Sequence, residues 1–119
     1  MELFQGPTDL FGIAIHHSLS KKVGEDEKYR DFIKSLKERI VIDLDYYPVM
    51  IKLTGGAFEV TRNVENPTVI VKINTQDFLN ILDAKASIMG LFLKGKMKFK
   101  RGFFKILKVY KLFSNLVKN

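Results

Sequence analysis

The hydrophobic positions of this chain repeat with two periods, and the switches between them mark its elements. Near the start, Leu10, Phe11, Ile13, Ala14 and Ile15 follow the turn-like run Gly6-Pro7-Thr8-Asp9. That order predicts a helix over 8–22, with Thr8 as cap, Lys21 and Lys22 near its C-terminal end and Gly24 closing it. A second helix is predicted over 25–39. Glu25, Asp26 and Glu27 open it, Lys37 and Arg39 end it, and Tyr29, Phe32, Ile33, Leu36 and Ile40 form one stripe.

From residue 40 the period becomes two. Ile40, Ile42 and Leu44 alternate with Val41, Asp43 and Asp45, as in a half-buried strand. Pro48 belongs in the connection, because it has no ladder hydrogen to donate. Val49, Ile51 and Leu53 mark a second strand, Gly55-Gly56 a hairpin turn, and Phe58 and Val60 a third strand. After a loop over 64–67, Val69, Val71 and Ile73 mark a fourth.

The helical period then returns twice. Asn74 or Thr75 caps a short helix with Phe78, Leu79, Ile81 and Leu82 on its apolar face. The run 84–87 breaks it, and Ser87 caps another over 88–94 that Gly95 ends. Met97, Phe99 and Arg101 alternate with Lys96, Lys98 and Lys100 in a fifth strand, and Gly102 permits the turn into a last helix over 103–117. On a wheel, Phe103, Ile106, Val109, Tyr110, Leu112, Phe113, Leu116 and Val117 share one half of that helix, with Leu107 at the border. Phe104 falls among the lysines. The order α-α-β-β-β-β-α-α-β-α predicts an α+β fold: a five-stranded, mainly antiparallel sheet covered on one face by helices.

Charge changes the picture of the C-terminal third. The net charge is +7. Residues 84–119 carry ten Lys/Arg and no Asp/Glu, whereas the first 83 carry a charge of −3. The chain's 119 residues suit one domain, 1–119, and 46% hydrophobic residues suit a globular core. With no cysteine, disulfide and thiolate chemistry is excluded. The N-terminus has no basic region of the signal-peptide kind, and no run is long and apolar enough to span a membrane. The expectation is a soluble, cytoplasmic domain.

Catalytic arrangements are poorly represented. His16 and His17 point about 100° apart on a helix, so they do not converge on a metal. Ser18 and Ser20 lack a nucleophile motif, Asp43 and Asp45 share the face expected to meet solvent, and no glycine run has phosphate-loop spacing. The bulky apolar residues of 78–113 are each readable as ordinary core. As a set from several elements they are readable as the wall of a cavity, and Met89 suits a variable ligand. A sixteen-carbon chain offers on the order of 12 kcal/mol of gross burial energy at roughly 0.8 kcal/mol per methylene.

Two stretches resemble the sterol carrier protein domain, also called the non-specific lipid-transfer domain. One is 69–82, VIVKINTQDFLNIL, a strand then a helix; the other is 88–100, IMGLFLKGKMKFK, a short helix ending in aromatic-Leu-x-Gly before a strand of alternating Lys and apolar residues. The specific match covers about 68–113, and the element order extends it back to about 25. Residues 1–24 are then an N-terminal helical extension.

The resemblance implies a sheet and helices packed over an apolar tunnel, without catalytic residues or cofactor, for a fatty acyl, acyl-CoA or sterol-like ligand. Phe78, Leu82, Met89, Phe92, Leu93, Phe99, Phe103, Leu107, Tyr110 and Phe113 are the expected lipid-binding residues, with the last helix as lid. Lys105, Lys108 and Lys111 are the expected contacts to an anionic membrane or head group, together worth roughly 3 kcal/mol at about 1 kcal/mol each. That favours transient contact over anchoring. The other readings are a non-catalytic dimerisation or assembly module of a lipid-related enzyme, such as a homodimer, and a basic nucleic-acid binder. The last is disfavoured because Phe99 lies on the strand face opposite the lysines.

Overall fold

The computed structural model describes residues 10–83 and 85–113. The expected cap at Thr8, the break at Ala84 and the last helical turn with Leu116 and Val117 lie outside them. The element order is α1 (Leu10–Glu25), α2 (Glu27–Lys34), β1 (Lys37–Asp43), β2 (Pro48–Thr54), β3 (Phe58–Thr61), β4 (Val69–Ile73), α3 (Thr75–Leu82), α4 (Ile88–Leu93), β5 (Met97–Arg101) and α5 (Ile106–Phe113). A 3-10 turn, Phe103–Lys105, leads into α5.

The five strands form one sheet in the order β3-β2-β1-β4-β5. Only β1 and β4 are parallel; the other neighbours are antiparallel, as the α+β expectation required. Period-two alternation aims Ile40, Ile42, Val49, Ile51, Val69 and Val71 at the helices, where all are buried. The opposite face carries like charges directly across the ladder, Arg39 opposite Lys52 and Lys72 opposite Lys98. No described helix is long and apolar enough to cross a membrane.

Side-chain caps set the helix starts. Asp26 accepts from the Tyr29 amide at 3.1 Å, Asn74 from Asp77 at 2.7 Å and Ser87 from Gly90 at 2.9 Å. Gly24 does not close α1, which runs to Glu25, and Asp26 restarts the chain as α2.

The second helix is shorter than its stripe suggests. It stops at Lys34, and Ser35 turns the chain. Residues 37–39 instead pair with 54–52 of β2. Leu36 stays buried in the turn, its carbonyl accepting from the Gly55 amide at 2.9 Å. Ladder hydrogen bonds with the hairpin replace the helical ones, so tertiary pairing overrides a local helical pattern. Pro48 is the first residue of β2, a strand position that tolerates a missing donor.

Candidate functional site

Helices α3, α4 and α5 lie over the β1-β4-β5 half of the sheet and enclose its apolar interior. Ile42, Val71, Ile73 and Met97 of the sheet face Phe78, Ile81, Ile88, Val109 and Phe113 of the helices around a cavity of about 10 Å³. Phe78 and Phe113 meet edge to face with ring centres 5.8 Å apart. Small-molecule sites span roughly 300–1,000 Å³, so side chains fill this interior.

The ten expected lipid-binding residues divide into three groups. Phe78, Leu82 and Phe113 are buried, and Phe78 and Phe113 line the cavity. Met89, Phe92 and Phe99 are half-buried. Leu93, Phe103, Leu107 and Tyr110 are exposed, Leu107 at 65%. In α4 the Ser87 cap fixes the register so that Ile88 and Leu91, three apart, face inward. Leu93 then points outward. On α5 the inward residues are Val109, Leu112 and Phe113. Phe103 leaves that line because residues 103–105 form a tighter turn, with about three residues per turn, which shifts the phase of the wheel.

Phe103 nevertheless has a partner surface. Its ring lies 5.6 Å from Phe92 and 6.0 Å from Phe99, and Phe92 and Phe99 are 5.9 Å apart. This trio joins α4, β5 and the 3-10 turn into an aromatic rim. Leu93, Leu107 and Phe104, the last 82% exposed, extend the apolar character of these elements into solvent.

The lysines of the last helix differ among themselves. Lys105 donates to Glu38 Oε1 at 2.8 Å and Lys108 to Glu38 Oε2 at 2.9 Å. The Lys111 ammonium lies 6.0 Å from the Phe32 ring centre. Glu38 is 5% exposed and also accepts from Thr68 Oγ1 at 2.7 Å. Burial alone would raise its pKa, but Lys105, Thr68 and Lys108 outweigh that and hold it at about 2. Glu38 is the site residue that the sequence reading missed. It lay inside the stretch read as helix, and only a strand beginning at Lys37 puts it on the inward face with Ile40.

The other perturbed groups serve the scaffold. Burial pushes the Tyr29 phenol above its usual range, so it remains a donor, and it gives its hydrogen to the Leu112 carbonyl of α5 at 2.7 Å. Asp26 is held below the carboxylate range chiefly by the Tyr29 amide. Asp45 is lowered chiefly by the Thr75 hydroxyl, and it also accepts from the Thr75 amide at 2.7 Å. Asp43 faces Lys100 at 3.7 Å. Chemically, the arrangement offers an apolar interior, an aromatic rim and a helix held over both by polar ties at each end.

The SCP-2 sterol transfer family model matches residues 17–114, which begins within α1 and spans the rest of the described fold. No curated protein matches the chain. Among solved structures, sterol carrier protein domain 2 of Helicoverpa armigera superposes with a TM-score of 0.73 at 18% identity, covering 98% of this chain and 95% of that one. Apo sterol carrier protein 2 of Yarrowia lipolytica gives 0.67 at 18% identity, over 92% and 91%. Palmitated SCP2L2 of Aedes aegypti gives 0.64 at 15% identity, over 84% and 91%. These likenesses establish the fold, and the family match over most of the length establishes the kinship: the chain belongs to the SCP-2 sterol transfer family.

Proposed function

We propose that this chain is a non-catalytic lipid carrier, one lipid-binding domain over residues 1–119 with 1–24 as a helical extension. It takes a fatty acyl, acyl-CoA or sterol-like ligand between the sheet and helices α3–α5, and exchanges it during brief contact with anionic membranes. The observation that carries this reading is the alignment of two apolar zones. The lined interior around Phe78 and Phe113 and the aromatic rim of half-buried Phe92 and Phe99 and exposed Phe103 share α4 and β5. A ligand entering at the rim meets apolar surface along these same two elements.

The filled interior adds a condition. A cavity of about 10 Å³ does not admit a lipid until helices move, and α5 is the candidate because it supplies Val109 and Phe113. The palmitate on the Aedes aegypti protein makes a long acyl chain the first probe. The test is lipid extraction and mass analysis of the purified protein, followed by displacement of a fluorescent fatty acid. Co-purifying lipid and displacement at micromolar protein support the carrier; neither at that concentration refutes it.

The closed interior also favours a second reading, an assembly module whose core needs no ligand and whose rim of Phe103, Phe104 and Leu107 meets a partner or a second copy. Light scattering separates the two. A stable dimer that binds no fatty acid supports the module, and a lipid-loaded monomer supports the carrier.

A further inference from the structure

Lys105 and Lys108 stand at the border between the aromatic rim and the buried scaffold. Both ammonium groups close on one carboxylate, Glu38, at 2.8 and 2.9 Å. The Lys108 side chain is 46% exposed, so an outside anion can reach it. Lys108 also precedes Val109, which lines the interior, so the two cannot move independently. At the root of the same turn, Gly102 is left-handed and packs against the Thr68 carbonyl, while Thr68 Oγ1 donates to Glu38. The far end of α5 is pinned separately, by Tyr29 on Leu112.

We propose that Glu38 is a latch that holds the first half of α5 shut over the apolar interior, and that the phosphates of an anionic phospholipid surface release it by taking Lys105 and Lys108. The proposal rests on the lipid-carrier reading. A lysine gives up one charge-assisted hydrogen bond to a carboxylate and gains another of the same kind to a phosphate. The exchange is therefore close to balanced, and the attraction of the anionic surface for each lysine tips it. A bilayer of neutral net charge supplies no such bias, so the latch stays closed there.

The carboxylate left behind does not become a stranded buried charge. Glu38 borders an open cleft of about 290 Å³, lined also by Thr54 and Thr68, so water can reach it once the helix lifts. Release at this end and retention at Leu112 would part α5 from the sheet beside Phe103 and Leu107. Opening is then confined to the membrane surface, where lipid is available, and the apolar interior stays closed in solution.

The test measures uptake of a fluorescent fatty acid from phosphatidylcholine vesicles with and without phosphatidylserine. With two lysines moved to the charged surface, wild-type uptake should be roughly thirtyfold faster from the anionic vesicles. Glu38→Gln should take up lipid from both vesicle types at similar, fast rates. If Glu38→Gln keeps the wild-type ratio at normal final loading, the latch is refuted and the carrier stands. If neither protein loads from either vesicle, the carrier reading fails and the latch with it. Hydrogen exchange on the wild type covers the case of an unstable variant. Amides of 103–109 should exchange faster with anionic than with neutral vesicles, and equal exchange refutes the latch.

Discussion

Tyr29 and Leu112, 83 positions apart, are joined by a buried hydrogen bond of 2.7 Å from the phenol to the Leu112 main-chain carbonyl. The bond ties α2 to α5 through a buried donor on a main-chain acceptor. Tyr29→Phe keeps the ring beside Phe32, at 6.0 Å between centres, and removes only the donor. The expected loss is about 1–2 kcal/mol, read as a lower urea midpoint with an unchanged slope. Fatty-acid exchange should quicken as well, because the second tie on α5 is gone; a variant of unchanged stability would show that the carbonyl finds water instead.

Acid should loosen the same helix from its other end. The Glu38 pKa is lowered from an ordinary 4.5 to about 2 by Lys105, Thr68 and Lys108, against the effect of burial. A carboxylate lowered in the folded state stabilises fully above its unfolded pKa and progressively less as pH falls towards the folded one. The contribution, roughly 3 kcal/mol, is therefore present at neutral pH and lost between about pH 5 and pH 2. Asp26 and Asp45 act in the same direction, but both are partly or fully exposed and contribute little. Urea midpoints across that range should fall for the wild type and fall less for Glu38→Gln.

Gly102 fixes where α5 departs from the sheet. Its φ is 74°, and a Cβ there would come within 2.5 Å of the Thr68 carbonyl oxygen. Gly102→Ala meets a strained backbone and a backbone clash together, so a cost of about 2–4 kcal/mol is expected. Gly24 is the control, since a Cβ there meets nothing within 4 Å. Gly24→Ala, one residue from the C-terminal end of α1, should be neutral to mildly stabilising, by less than about 1 kcal/mol. Thermal melts of both variants test the contrast.

What could be read from the residues depended on how local the controlling interaction was. The strands were legible because Val49, Ile51 and Leu53, and Val69, Val71 and Ile73, recur at every second position with β-branched residues enriched, and the face that meets the helices reads from that period. The starts of α3 and α4 were legible because Asn74 and Ser87 cap within three residues. The role of Glu38 was not. Its partners lie 67 and 70 positions away, and its own neighbourhood reads as the end of a helix. Leu36 fitted the helical stripe and is buried as predicted, yet it is buried in a turn, since burial alone does not distinguish the two. Phe103 was placed inward by a wheel that assumes one uniform helix, and the 3-10 turn shifts its phase; Tyr110 sits within α5 at the edge of the stripe that Val109, Leu112 and Phe113 centre. The sequence reading gave Lys105, Lys108 and Lys111 one function, whereas of the three only Lys105 and Lys108 reach across to β1.

The division of the apolar residues into lining and rim makes a last prediction about two substitutions of one chemical kind. Phe78 is buried and touches Phe113, so Phe78→Ala removes a ring from a filled interior. The loss should be about 3–5 kcal/mol, unless a lipid enters the void. Added fatty acid should then raise the melting temperature of Phe78→Ala more than that of the wild type, because the ligand fills a space already open. Phe104 makes no such contribution. Its ring is exposed with the Lys105 ammonium 5.6 Å from its centre, and a surface change there should move stability by no more than about 0.5 kcal/mol. Phe104→Ser should nevertheless slow transfer to vesicles, if the rim meets the bilayer, while leaving equilibrium binding of a soluble fatty-acid probe unchanged. Equal effects of both substitutions on stability, with none on transfer, would reduce the rim to ordinary surface and leave the assembly reading in its place.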